Sequence, residues 1–399
     1  MTEVLSLTDC GVITPLGRGK KAVAAALFKG SNDGIVARND LMPDHSLFFG
    51  SVRDALPALP YTFALFDSRN NRLLEAALAE IVPSIERAIA DYGRDRVAVV
   101  LGTSTSGISD GEIALATYRR TGAWPKGFHY RRQETGSPTA FVSRRFGLTG
   151  PAYTVATACS SSAKVFASGR RLIANGLADA VIVGGVDTLC RMTLSGFGSL
   201  EALSKGRCNP FSVHRDGITI GEGAAVFLLE RGVDPIRLLG IGETSDAHHA
   251  TAPDPEGNGA REAMLQALTD AALMPKDVCY INLHGTATPL NDAMESKAVA
   301  SVFGGMIPCS STKGMTGHML GAAGGCEAAF LWLTLNPETN PTGLLPPHLW
   351  DGAQDPALPS LNLIPLGTPI PTQPRTVMLS NSFGFGGSNA ALILGRATA

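Results

Sequence analysis

Cys159 stands in Val155-Ala156-Thr157-Ala158-Cys159-Ser160-Ser161-Ser162, between an apolar run that reads as a strand and a helix that opens on hydroxyl side chains. A thiol at that place can act as a nucleophile, because the unpaired amides and the dipole of a helix N-terminus favour the thiolate and can also hold a developing oxyanion. A buried structural cysteine is the alternative for any lone thiol, so partners decide the matter. His284-Gly285-Thr286-Ala287-Thr288-Pro289 follows a strand-like run, and Ser310-Ser311-Thr312-Lys313-Gly314-Met315-Thr316-Gly317-His318 precedes a helical one. Both histidines lie in glycine-rich turns rather than on apolar helix faces, and there they could converge with the sulfur on one pocket. A third signal, Asn381-Ser382-Phe383-Gly384-Phe385-Gly386-Gly387-Ser388-Asn389, follows the strand-like 377–379, and its glycines let a backbone approach a ligand closely.

Such turns need elements to hold them. Residues 97–101 and 180–185 read as buried strands, with 161–177 between them as a helix whose packing side carries small residues. Later, 279–283 reads as a strand and 321–335 as an apolar helix. Strand, polar glycine turn and buried helix thus occur twice, which suggests a duplicated α/β unit with a crossover near 231–239 and halves at 1–235 and 236–399. Ordinary α/β alternation is the competing explanation. The proline-rich stretch 336–374 reads as an ordered surface excursion, because strands flank it.

Composition narrows the classes. The 399 residues are 44% hydrophobic and 17% charged with a formal charge of -2, which fits a folded chain and excludes a disordered one. That balance gives no general attraction to nucleic acid or anionic lipid. No apolar run nears the roughly 18 residues of a membrane span. The first six residues, Met1 to Ser6, lack a basic region and apolar core, so a cytoplasmic protein is expected. Seven scattered cysteines without a Cys-x-x-Cys pair suggest neither a disulfide framework nor a zinc knuckle.

Taken together, Thr157-Ala158-Cys159-Ser160-Ser161, the His-Gly-Thr-x-Thr-Pro turn at His284, the Lys-x-x-x-Gly-His run ending at His318 and Asn-Ser-Phe-Gly-Phe-Gly-Gly resemble the β-ketoacyl-acyl carrier protein synthases of the elongating type. Cys10-Gly11-Val12-Ile13-Thr14-Pro15-Leu16-Gly17, Asn209-Pro210-Phe211, Arg215-Asp216-Gly217 and Gly221-Glu222-Gly223 extend the likeness over nearly the whole chain. The resemblance implies the thiolase fold, two similar halves in five α-β-α-β-α layers, usually as a dimer. It implies a 3-oxoacyl-[acyl-carrier-protein] synthase that moves an acyl group onto Cys159 and condenses it with malonyl carrier protein after loss of carbon dioxide. No redox cofactor and no catalytic metal are implied.

The resemblance also distributes roles. His284 and His318 would donate hydrogen bonds to the enolate oxygen. The amides of Cys159 and Phe385 would form the oxyanion hole, and Phe385 with Gly384 would gate the pocket. Lys313 would orient the network, with Glu327 as its partner, and Thr286 and Thr288 would bind the phosphopantetheine arm. Asn381, Asn389 and Asp292 are taken as framework polar residues. Retention of Cys159, His284 and His318 argues against the alternative, a non-catalytic chain-length-factor-like subunit, while a homodimer or a heterodimer with such a factor both remain open.

Carrier proteins are acidic, so a basic rim is expected near the pocket. Between 119 and 145 the chain has seven basic side chains against Glu134 alone, and Arg119, Arg120 and Lys126 are the first docking candidates. Lys205 and Arg207, beside Gly196-Phe197-Gly198, are the second. Where many relatives carry a basic run, this chain has Tyr61-Thr62-Phe63-Ala64-Leu65-Phe66, which alters the usual docking patch. The hydroxyl-rich turn at 102–109, with 66–72, suggests a pocket suited to accessory or polyene-like pathways.

Overall fold

The computed structural model of the chain describes residues 4–42, 46–232 and 234–396. Met1 to Glu3, part of the amino-terminal stretch weighed above, lie outside the described residues. One sheet runs through the molecule in the order Asn362–Leu363, Pro308–Ser310, Tyr280–Asn282, Thr376–Gly384, Ser388–Arg396, Ile236–Ser245, Leu5–Thr14, Gly223–Arg231, Ala180–Asp187, Val97–Gly102 and Ala152–Val155. The two parts meet where Leu5 and Ser6 pair with Leu238 and Arg237.

Each part repeats one pattern. In the first, Ala152–Val155 pairs parallel with Val97–Gly102, which pairs parallel with Ala180–Asp187; Gly223–Arg231 and Leu5–Thr14 then follow antiparallel. In the second, Pro308–Ser310, Tyr280–Asn282, Thr376–Gly384, Ser388–Arg396 and Ile236–Ser245 pair in the same senses and in the same sequence-to-space order. Ordinary alternation would not reproduce both the order and the direction of five strands.

Side-chain alternation along the strands builds the layers. Val97, Val99 and Leu101 face an outer core shared with the helices Arg69–Leu78 and Val82–Tyr92. Ala98 and Val100 face the opposite core, which holds the helices Ser161–Ala174 and Ala323–Leu335. In the second part Val377 and Leu379 point to the helices Asn258–Asp270 and Pro289–Phe303, while Met378 joins the shared core. Helix, sheet, two central helices, sheet and helix make the expected five layers. All of Ala323–Leu335 is buried, as a helix apolar all round must be.

The helix expected over 161–177 ends at Ala174, because Gly176 takes φ +68 and the chain leaves the helix there. The stretch 336–374 contributes only Asn362–Leu363 to the sheet, and His348 within it accepts from Ser311 N at 3.1 Å, so it is anchored. No helix among the described residues is long and apolar enough to cross a membrane.

Where the Val97–Gly102 strand ends, it touches the start of the Ser161–Ala174 helix. A Cβ on Gly102 would come 2.5 Å from Ser162 N. Gly102→Ala should therefore destabilise the fold by about 1–3 kcal/mol through overpacking, measured as a lower urea midpoint with an unchanged slope; an unaltered midpoint would show that the helix start can move freely.

Candidate active site

Cys159 follows Ala158, whose φ of +52 is a left-handed conformation that a non-glycine residue rarely adopts. Hydroxyl groups hold this turn: Ser161 Oγ donates to Ala158 O at 2.5 Å, Ser160 Oγ donates to Thr157 O at 2.8 Å, and Thr157 N donates to Ser161 Oγ at 2.9 Å. The sulfur is thereby set at the N-terminus of the Ser161–Ala174 helix. His284 leaves the end of the Tyr280–Asn282 strand, and His318 follows the short helix Lys313–Thr316.

The three side chains meet. Cys159 Sγ and ring nitrogens of His284 and His318 all lie within 4.8 Å of one another, with His318 Nε2 at 3.0 Å from the sulfur. The imidazoles stand edge to face, 5.3 Å between centroids. Burial holds both well below the usual histidine range, and the Lys313 ammonium adds to the effect. Both rings are therefore neutral and present N–H donors. Burial also pushes the Cys159 thiol up to about 11, against the pull of Lys313 and the Phe385 amide. That corrects the sequence expectation of a thiolate: loss of hydration outweighs the helix terminus, and the resting group is a thiol.

Lys313 is 1% exposed. Its Nζ donates to His284 O at 2.5 Å and pairs with Glu327, so it fixes the histidine turn and has no free geometry for attack. Phe385 is half-buried against Phe197, 5.4 Å between centroids, and its amide faces the sulfur. A Cβ on Gly384 would come 3.0 Å from Thr157 O and 3.2 Å from Cys159 N, so a glycine is what lets this loop lie against the nucleophile turn.

A cavity of about 380 Å³ contains Cys159, His284, His318, Phe385, Thr286 and Thr288 in its lining. Thr286 and Thr288 are 3.1 Å apart through their hydroxyls, and Thr288 also caps the Pro289–Phe303 helix by accepting from Asn291 N. Leu200 and Leu290, 47% and 61% exposed, rim the mouth. Lys205 and Arg207 are exposed just beyond the lining residues 200–202, whereas Arg119, Arg120 and Lys126 are exposed elsewhere and none lines the cavity. The Cys159, His284 and His318 atoms are also the one cluster among the described residues that could hold a metal ion, a donor set suited to Zn²⁺.

Two buried carboxyl groups, Glu295 and Asp187, escaped the sequence reading as positioning groups, and a third, Asp292, had been taken only as framework. Glu295 accepts from His284 N and Gly285 N, each at 2.7 Å, and from Asn381 Nδ2 at 3.1 Å. Asp292 accepts from Phe211 N at 2.7 Å and Ala287 N at 3.2 Å, which gives the framework reading of that residue its content. Asp187 accepts from Thr103 Oγ1, the amides of Ser104 and Thr105, Thr105 Oγ1 and Ala322 N. The signal for Asp292 and Glu295 was their three-residue spacing on the helix directly after the His284 turn. The hydroxyls of 102–109 were expected to face substrate; Thr103 and Thr105 are instead spent on Asp187, and Ser106 Oγ donates to Glu134 O at 2.8 Å. In 66–72, Arg69 is bound to Glu222 and Arg72 to Asp67, again internal contacts.

Family models described as Beta-ketoacyl synthase, N-terminal domain, and Beta-ketoacyl synthase, C-terminal domain, match residues 64–234 and 236–346. The chain is 33% identical to a 3-oxoacyl-[acyl-carrier-protein] synthase 2 of Staphylococcus aureus (strain N315), with 97% of each covered. Among solved structures it is similar to the ketosynthase ApeO, in complex with its chain length factor ApeC, from Xenorhabdus doucetiae: 45% identity, TM-score 0.92, covering 99% of this chain and 98% of that one. It is also similar to the ishigamide ketosynthase/chain length factor, at 27% identity and TM-score 0.88 with both chains fully covered.

A thiol near 11 ionises about tenfold more for each pH unit through the neutral range. Alkylation of Cys159 by iodoacetamide, followed by peptide mass spectrometry, should accordingly accelerate about tenfold per unit between pH 7 and pH 9; a plateau below pH 8 would reveal a thiol that the site has lowered instead.

Proposed function

The chain belongs to the β-ketoacyl synthase family, and from that membership we propose that it lengthens an acyl chain held on Cys159 by decarboxylative condensation with malonyl-acyl carrier protein, in fatty acid or polyketide-type biosynthesis. It is a condensing acyltransferase. The observation that carries the mechanism is the meeting of one sulfur and two neutral imidazoles within 4.8 Å.

In the first stage the Cys159 thiolate, formed as the thiol proton leaves to solvent, attacks the acyl thioester. The tetrahedral oxyanion is held by the amides of Cys159 and Phe385, and the departing phosphopantetheine sulfur takes up a proton. His318 Nε2–H, 3.0 Å from the sulfur, supports the thiolate. In the second stage malonyl carrier protein loses carbon dioxide, and its enolate oxygen accepts hydrogen bonds from His284 and His318. The enolate carbon attacks the acyl-cysteine, and the sulfur leaves again as thiolate. Each neutral imidazole still carries one N–H to donate, and the donors are in position before charge develops. Lys313 and Glu327 position the His284 turn, and Gly384 with Phe385 gates the sulfur.

Thr286 and Thr288, in the cavity wall, would take the polar groups of the phosphopantetheine arm, which brings the acyl group and is the only carrier of substrate the mechanism requires. Lys205 and Arg207, exposed a few residues along the chain from the lining stretch 200–202, would meet the acidic carrier protein. The halves 1–235 and 236–399 divide the work, the first supplying the nucleophile and the second both histidines. We place the protein in the cytoplasm, as one member of a dimer. A non-catalytic chain-length-factor-like role is disfavoured, since Cys159 is retained in a complete site.

Cys159→Ala should gain no acyl mass on incubation with acyl carrier protein, read by intact-protein mass spectrometry. His284→Ala and His318→Ala should still be acylated but lose about 10²–10³-fold in condensation. An acyl adduct on Cys159→Ala would sink the assignment.

A further inference from the structure

We propose that the unloaded enzyme captures Zn²⁺ between Cys159 Sγ and ring nitrogens of His284 and His318, and that the bound ion blocks loading of the sulfur. The ion acts as an inhibitor and not as a cofactor, because it occupies the electron pair with which the sulfur attacks. Three ligand atoms from three separate turns lie within 4.8 Å of one another, and His318 Nε2 stands 3.0 Å from the sulfur. Zn–S and Zn–N bonds of about 2.3 and 2.1 Å in a tetrahedron set such atoms about 3.3–3.6 Å apart. From separations of at most 4.8 Å, side-chain shifts of about 1 Å reach that geometry.

The donor set chooses the metal. A thiolate and two imidazoles suit Zn²⁺ or Co²⁺, whereas Mg²⁺ and Ca²⁺ take oxygen ligands and are refused. Both imidazoles are neutral, so each has one ring nitrogen without a proton. On binding, the Cys159 S–H bond breaks, its proton goes to solvent, and the electron pair left on sulfur forms the Zn–S bond. The Lys313 ammonium is the cation that opposes the ion, and it is already hydrogen-bonded to Glu327 and to the His284 carbonyl. The carboxyls of Asp187 and Glu327 act on the sulfur in the opposite sense.

Two features make the capture reversible. His318 turns Nε2 to the sulfur, and its buried Nδ1 has no hydrogen-bond partner among the described residues. In a dedicated zinc site that second nitrogen is held, and losing such a partner costs about 10–100-fold in affinity. The protein also supplies three ligands rather than four. The same three residues line the cavity of about 380 Å³, so the fourth position is left to water. An acyl group on Cys159 removes the thiolate, so the loaded enzyme takes up no ion; that step rests on the reading of Cys159 as the acyl acceptor.

The probes are Co²⁺ and Zn²⁺, added to the full chain after dialysis against EDTA. Co²⁺ should bind one to one with a sulfur-to-cobalt charge-transfer band in the near ultraviolet, and Zn²⁺ should displace it and bleach the band. Zn²⁺ should also slow iodoacetamide alkylation of Cys159, read by peptide mass spectrometry, by more than about tenfold. EDTA should restore the rate, and excess Mg²⁺ should leave it unchanged. Cys159→Ser should lose the band. His318→Ala keeps the thiol and should weaken protection by Zn²⁺ at least about tenfold, so the outcome does not hang on one variant's folding. A missing band, an unslowed alkylation, equal protection by Mg²⁺, or a band that survives in Cys159→Ser overturns the proposal. Acyl mass gained from acyl carrier protein is scored separately, and the loaded chain should give no band. A chain that loads acyl groups but never gives the band sinks the metal proposal alone, and a chain that gives the band but never loads sinks the condensation reading alone.

Discussion

Removal of water from around one sulfur and two imidazoles is the constraint on which the site depends. Cys159, His284 and His318 are 6%, 1% and 2% exposed. Burial opposes charge on all three, so the imidazoles are neutral donors and the sulfur rests protonated. The two consequences pull in opposite directions for the chemistry. Neutral imidazoles help the enolate stage, whereas a protonated thiol hinders the acylation stage. The Lys313 cation and the hydrogen bond from the Phe385 amide offset part of that hindrance, and the acylated sulfur of the second stage carries no proton to lose.

The chain holds this buried site with ionisable side chains set on backbone carbonyl and amide groups. Lys313 pairs with Glu327 and also reaches the His284 carbonyl, while Glu295 takes the two amides on either side of that same peptide turn. The His284 turn is thus gripped on its carbonyl by the Lys313 ammonium and on its amides by the Glu295 carboxyl, which burial pushes up to about 7. Hydrogen bonds to charged groups are worth about 1.5–3 kcal/mol each, and leaving such a charge unpaired in the interior costs more than the bond contributes. These groups consequently specify one position for the turn, a property that a catalytic donor needs more than it needs extra stability.

The meeting of Cys159, His284 and His318 was legible because a thiol and two imidazoles stand in glycine-rich turns next to strands. The long strands and the apolar Ala323–Leu335 helix were legible because full burial leaves an unbroken apolar run. The thiol's protonation was misread because a helix terminus is visible in sequence and the depth of burial is not. The roles of Thr103 and Thr105 were hidden for a related reason: they look like pocket residues until Asp187, more than eighty positions later, claims their hydroxyls. Glu295 was invisible as a positioning group because an acidic residue on a helix usually faces water, and only the fold turns it inward.

Asp187 also shows why duplication matters to the chemistry. Its carboxylate accepts amides from the 102–105 turn of the first half and the Ala322 amide of the second, and Ser162 Oγ accepts from Gly325 N at 2.7 Å across the same boundary. The helix that begins beside Cys159 and the helix that carries Glu327 are joined at their starts. Two similar halves bring two helix N-termini and several strand ends to the same place, where amides and turns are abundant. One half spends that place on the sulfur and the other on the imidazoles. A single unit would have to build both from one set of turns, and the 4.8 Å meeting of three side chains drawn from residues 159 to 318 is what the second unit makes available.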